Sequence, residues 1–180
     1  MAFQTQVFAT PAFGVQGELY GSSPVVSTPY ILNSAVPANN IYGNVFTIVD
    51  RVTAANQVTA GNTSSVNGII FAGFLVNPKA GVSYGAPGSY PLSPTLVAPN
   101  GIVGELLTQG SVIINLTTSP ANVGDVVIYN NLTGALATVA PGVAIPAGFS
   151  FAYAYIARFT ASTVSGETLA VAQVNYYQAP

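Results

Sequence analysis

The sequence predicts an all-β protein, an antiparallel β-sandwich of jelly-roll-like form with negligible helix, and three observations predict it. Short segments rich in Val, Ile, Thr, Tyr and Phe are punctuated by 18 Gly and 13 Pro, the pattern of many short strands joined by turns. Apolar residues alternate at intervals of two in several stretches, and no window repeats them at three and four with charges opposite. The strong helix formers Lys, Glu, Arg and Met are almost missing. A chain of 180 residues fits one domain that can bury a core without staples. The division expected is an extended arm over residues 1–17 and a single sandwich over 18–180.

The elements follow in order. In the arm, Phe3, Phe8 and Phe13 recur every five residues, which suits neither a helical stripe nor strand alternation, and Pro11, Gly14 and Gly17 break regular structure. The rings then need pockets on the same domain or on a neighbouring subunit; the alternative is a frayed terminus. From Gly21 to Asn44, Pro24, Pro29 and Pro37 indicate loop with one edge strand near Tyr30–Leu32. A strand is predicted at Val45–Val52, then a turn region rich in Asn, Thr and Ser up to Gly68. Ile69–Val76, IIFAGFLV, is apolar enough for a strand buried on both faces.

Residues 77–101 hold five prolines and four glycines, too many for a sheet interior. This long loop carries Tyr84, Tyr90, Leu92 and Leu96, suited to lying across a partner or to folding back on its own sandwich. Strands are predicted at Ile102–Thr108 and Ser111–Leu116, joined by a turn at Gln109-Gly110. Asp125–Tyr129 and Ala135–Val139 flank Asn130-Asn131-Leu132-Thr133-Gly134, a hairpin loop with Asn and Gly where positive φ is needed. Phe149–Thr160 alternates aromatic and small residues, Phe151, Tyr153 and Tyr155 against Ala152, Ala154 and Ala157, and Thr168–Tyr177 is the last strand. The adjacent Tyr176 and Tyr177 must point to opposite faces if strand continues there, so one of them meets solvent or a partner.

Composition restricts the chemistry. There is no His, Cys or Trp, and only eight charged side chains: Glu18, Asp50, Arg51, Lys79, Glu105, Asp125, Arg158 and Glu167. Without Cys there is no disulfide or thiolate chemistry, and without His the commonest metal ligand and general base are missing. No catalytic, cofactor or metal site is predicted, and an enzyme is the least favoured class. Asp50, Glu105 and Asp125 could supply two carboxylates for glycoside hydrolysis, but nothing places them together, and local polar pairs are the simpler reading. Three cations cannot neutralise a run of phosphates, so nucleic acid is not an expected partner. No stretch approaches the roughly 20 apolar residues of a membrane span. The N-terminus lacks the basic start and apolar centre of a secretory signal, so synthesis in the cytosol is expected. Three matches to the glycosylation pattern, at Asn62, Asn115 and Asn131, are what chance gives in a chain rich in Asn and Thr.

A soluble surface usually carries about 25–35% charged residues, whereas this chain has 4%. Neutral amides and hydroxyls can keep it soluble, but coverage of the surface in an assembly is the favoured reading.

The opening MAFQTQV, the following Pro-Ala-Phe and Gly-Val-Gln-Gly, the segment NVGDVVIYNNLTGALATVAPG and the later AIPAGFSFAYAY together resemble the structural cement proteins of tailed-bacteriophage heads. In that family a Val-Gly-Asp-X-Val-Tyr-Tyr strand leads through an Asn-X-Thr-Gly turn into Ala-Leu, here Val123 to Leu136. Residues 18–100 carry no such resemblance. The matching positions are turn and core residues, so they transfer a fold and no interaction site.

The resemblance implies a non-enzymatic protein, made in the host cytoplasm, that binds the outer surface of an assembled capsid and stabilises it by bridging capsid subunits. The partners implied are the major capsid protein and further copies of the chain, a trimer being favoured over a dimer. The interface residues expected from sequence are Phe3, Phe8, Phe13, Tyr84, Tyr90, Leu92, Tyr176 and Tyr177. A rival is a head-fibre or tail-tip module that recognises host glycans through Tyr-lined loops. A jelly-roll shell subunit is disfavoured by the lack of a basic arm.

Overall fold

A computed structural model describes residues 14–21, 24–50, 53–61, 70–77, 97–117, 121–159 and 168–176. It contains nine strands: β1 (Val26–Leu32), β2 (Val45–Asp50), β3 (Ala54–Ala60), β4 (Phe71–Leu75), β5 (Val103–Leu116), β6 (Val126–Asn130), β7 (Leu136–Val139), β8 (Phe149–Phe159) and β9 (Thr168–Asn175). Among the described residues the only helix is a 3-10 turn at Pro37–Asn39. The all-β class with negligible helix therefore holds.

In detail the strands form one mixed sheet in the order β1-β3-β2-β4-β5-β7-β6-β8-β9, with β5 pairing additionally to β1 and β9. These pairings do not establish a jelly roll. Strand β5 is used twice. Its first half pairs with β1 from Val103↔Ile31 to Gln109↔Val26 and with β4 at Leu106 and Leu107. Its second half pairs with β9 from Gln109↔Asn175 to Leu116↔Thr168, and with β7 at Leu116↔Leu136. Two closed circuits of five strands result, β1-β3-β2-β4-β5 and β5-β7-β6-β8-β9.

The parallel steps have a geometric cause. Around a closed circuit the strand direction must reverse an even number of times, so five strands cannot all be antiparallel. Each circuit accordingly has one parallel pairing, β1 with β3 and β5 with β7.

The core has two parts. Leu32, Phe46, Val58, Ala60, Ala72, Leu75, Ala98 and Leu106 fill the first circuit. The larger part joins Val45, Phe71, Phe74, Val76 and Leu107 to residues of the second circuit, including Val112, Ile114, Val127, Tyr129, Ala154, Ile156 and Val174. Adjacent residues of β2 and β4 thus enter different parts, Phe46, Ala72 and Leu75 on one side and Val45, Phe71 and Phe74 on the other, with the register of β4 shifted between Phe71 and Gly73. All five residues of β4 are buried, as its unbroken apolar sequence predicts.

The predicted hairpin is present as β6 and β7 in antiparallel register. Gly134 takes φ 72°, while Asn130 keeps ordinary backbone and accepts hydrogen bonds through Oδ1 from the amides of Leu132 (2.9 Å) and Thr133 (3.2 Å), an Asx-type turn.

Two expectations are corrected. The polar region after β2 contains strand β3, whose exposed first half, Ala-Ala-Asn, conceals a buried Val58-Thr59-Ala60. The turn expected at Gln109-Gly110 does not exist, because β5 runs unbroken for 14 residues. Gly110 takes φ 133° at the point where β5 changes partners, a conformation open to glycine within a continuous strand. The end of the long loop is anchored by Val97, which bridges to Ile41, and by the Ala98 amide, which donates to the Asn40 carbonyl at 2.7 Å. Its residues 78–96 lie outside the described residues.

Tyr129 is 1% exposed in the larger core. Burial raises its phenol above the ordinary value of 10.0; a hydrogen bond with the Ser150 side chain works against that rise, and Tyr153 adds to it. A raised phenol pKa means the folded state holds its proton more tightly than the unfolded chain. The associated stability is complete below pH 10 and is lost as pH rises through the folded pKa. With no His or Cys in the chain, few side chains titrate between about pH 5 and pH 9. The urea midpoint is therefore expected to stay nearly flat over that range and to fall above pH 10. The Tyr129→Phe variant should fall less steeply there, by at most about 1.4 kcal/mol per pH unit, and an unchanged alkaline limb would refute the assignment.

Candidate functional site

Strand β8 reads Phe-Ser-Phe-Ala-Tyr-Ala-Tyr-Ile from Phe149, and the structure settles which face is inward. Ala152, Ala154 and Ile156 are buried, whereas Phe151, Tyr153 and Tyr155 are 40%, 39% and 48% exposed. The small side chains face inward because the larger core is already filled by Phe71, Phe74, Val112, Ile114 and Tyr129. The rings are left on the surface.

A bulge sharpens this arrangement. Val127 pairs with Ala154 and the next residue, Ile128, pairs with Phe151, so Ala152 and Tyr153 are extra residues on β8. Tyr153 takes φ 53° and is the non-glycine residue with positive φ among those described. For a bulky side chain this conformation costs roughly 1–2 kcal/mol, and bulges commonly re-aim a side chain.

Ring contacts hold Tyr153 in place. Its ring centroid lies 4.5 Å from Tyr176, 5.2 Å from Phe71 and 4.8 Å from Phe151, with tilted or edge geometry throughout. Phe71 and Tyr176 are themselves 4.9 Å apart. Such pairs contribute about 0.5–1.5 kcal/mol each, enough to offset the backbone strain. Tyr176 follows β9, and its amide donates to the Thr108 carbonyl at 2.9 Å. Burial, then Tyr153 and Tyr30, raise its phenol pKa. Tyr176 also lines a cavity of about 210 Å³ with Tyr30, Ile48 and Phe71. An aromatic face thus runs from Tyr30 through Tyr176 and Tyr153 to Phe151.

This surface offers rings and phenol hydroxyls, which suits contact with a macromolecular surface. The carboxylates considered for hydrolysis are engaged locally. Glu105 accepts from Ser27 Oγ at 2.7 Å, Asp50 from Thr53 Oγ1 at 2.6 Å, and Asp125 from the Asn122 amide at 2.7 Å. Among the described residues no group of three or more acidic residues could hold a metal ion.

Of the residues singled out from sequence, Tyr176 belongs to this face. Phe3, Phe8, Phe13, Tyr84, Tyr90, Leu92 and Tyr177 lie outside the described residues. The sequence reading missed Tyr30, Phe71, Phe151 and Tyr153 as members; the alternation in β8 was the available signal, but it does not say which face is buried.

The chain spans 99% of its own length and 100% of the other in a structural match to a chain of the capsid of Myoviridae phage XM1, with a TM-score of 0.60 and 16% identity. At that identity the match concerns the fold. No curated protein matches the sequence. The family model of the phage structural cement protein (E217 gp24/Pam3 gp6) matches residues 3–175. With nearly the whole chain covered, this protein belongs to the structural cement protein family of phages.

Proposed function

We propose that this virion component binds the outer surface of the assembled capsid and stabilises it by bridging neighbouring subunits of the major capsid protein. The family match over residues 3–175 is the observation that carries this reading, and the low charge and exposed rings support it. A protein that binds the assembled shell and not its separate subunits shifts the equilibrium toward the shell. Many copies, each with several contacts, multiply the effect. In this reading the protein acts as a homo-oligomer, with a trimer preferred to a dimer. The arm over residues 1–17, bearing Phe3, Phe8 and Phe13, grips neighbours. The 77–101 loop with Tyr84, Tyr90 and Leu92, and the aromatic face with Tyr153, Tyr176 and Tyr177, supply further contact.

The test starts from heads lacking this protein. Added wild-type protein should appear in regular clusters over the outer shell by cryo-electron microscopy and should raise the temperature at which heads release their genome. Deleting residues 2–13, or substituting Tyr153→Ala, should reduce both binding and heat resistance. Only a few copies, placed at the tail, would replace this reading with the glycan-binding one.

A further inference from the structure

A cleft of about 430 Å³ lies where β1 and the start of β5 meet the segment around Leu19, lined by Leu19, Val25, Tyr42, Val76, Ile102 and Val103, among others. Its rim is exposed and apolar, with Val25 46% and Val103 64% accessible. Glu105, the charged residue of the lining, takes a 2.7 Å hydrogen bond from Ser27 Oγ. A cavity of ~150 Å³ holds a benzene-sized ring, so this one has room for two.

We propose that this cleft receives the phenylalanine-bearing residues 1–13 of a second copy of the chain, an inference that rests on reading residues 1–17 as an arm. Three observations favour that occupant. The segment has Phe3, Phe8 and Phe13 and no charged side chain, which matches a mainly apolar cleft whose lining holds a single charged group. Its length gives a reach of roughly 45 Å when extended, enough to cross to a neighbour.

The third is direction. The Tyr20 amide donates to the Ser111 carbonyl, Leu19 bridges to Val112, and the Gly17 amide donates to the Ile113 carbonyl. From Tyr20 to Gly17 the chain therefore runs along β5 toward Ile113, away from the Val103–Glu105 end of the cleft; a turn closed by the Glu18 amide donating to the Val15 carbonyl at 3.0 Å follows, and it leaves Gly14 beside Ile113. Its own residues 1–13 leave from beside Ile113 and would have to run back along the molecule to reach Val103, which favours a second copy as their source.

The absence of native Cys allows a direct test. A variant carrying Phe8→Cys and Val103→Cys is prepared as a mixture of light and heavy-isotope chains and oxidised, both free and bound to heads. Disulfide-linked peptides joining positions 8 and 103 are then read by mass spectrometry. Mixed-isotope linked peptides, in the proportion of random mixing, are the expected result. Links confined to one isotope would mean the chain's own arm fills the cleft, and would overturn the proposal.

Absence of any link would overturn it too, provided that Phe3→Cys or Phe13→Cys, and Val25→Cys on the cleft side, give none either. Val25 and Val103 are exposed, so these substitutions leave the core intact. The free-protein arm of the experiment does not depend on capsids: mixed-isotope links in a protein that fails to bind heads would sink the capsid reading and leave the arm and cleft standing.

Discussion

Replacing Gly134 by Ala is expected to lower stability by about 3–4 kcal/mol, the first of the two largest effects anticipated. Gly134 has φ 72°, and an added Cβ would lie 2.5 Å from the Val45 carbonyl oxygen and 2.8 Å from the Gly61 nitrogen, both backbone atoms. Those atoms sit where the β6–β7 hairpin meets the first circuit. The Val45 amide donates to the Gly134 carbonyl at 3.2 Å and the Gly61 amide to the Val45 carbonyl at 3.1 Å. The methyl group cannot be accommodated without separating them, so positive-φ strain of about 1–2 kcal/mol is joined by the loss of two hydrogen bonds. Gly142 provides the control. Its φ is 81° and nothing lies within 4 Å of an added Cβ, so Gly142→Ala measures the backbone strain alone. Thermal melts of the two variants should differ by several degrees; equal melting points would mean that the hairpin is not docked as described.

Phe74→Ala is expected to cost about 3–5 kcal/mol. The side chain is fully buried in the larger core. Its residue pairs with Val45 on one side and Leu107 on the other, and its ring meets Phe71 edge-on at 6.0 Å. Because β4 belongs to the wall between the two parts of the core, the damage should reach both circuits together. Far-ultraviolet circular dichroism and tyrosine fluorescence should then report one coincident transition, shifted to lower denaturant, with Phe74→Leu intermediate. Two separate transitions, or a loss below about 1 kcal/mol, would contradict a shared core.

How much of this could be read from sequence depends on where each strand's polarity lies. Strand β4 was legible because all its side chains are apolar, and the β6–β7 hairpin because Asn130 and Gly134 meet specific turn requirements. Strand β3 was not, since its first residues face solvent and resemble a turn, while its burial comes from β1 and β2. The continuity of β5 was hidden by Gly110, which reads as a turn residue in isolation. Only the neighbours on either side show that it marks a change of partner. Closure into five-strand circuits depends on pairings between residues distant in the chain, which local periodicity does not encode. The aromatic face was half legible: alternation revealed the ring-bearing side of β8, but its outward direction depends on large residues from β4 and β5 that occupy the interior. The bulge at Tyr153 has no local signature, since Tyr is not a residue that favours positive φ.

The odd number of strands in each circuit has a consequence for how the molecule breathes. Each circuit includes a parallel step, and these seams are short among the described residues: two residue pairs between β1 and β3, as few as between β4 and β5, and one between β5 and β7, against eight between β5 and β9. Local opening starts where the fewest bonds must break together, so these seams are expected to open before the β5–β9 spine. An unzipped seam is a pair of vacant strand edges, and a vacant edge is a template for main-chain pairing with another polypeptide. The geometry that forbids an all-antiparallel ring thereby leaves each half of the protein one short parallel seam where such an edge would be exposed well before the spine.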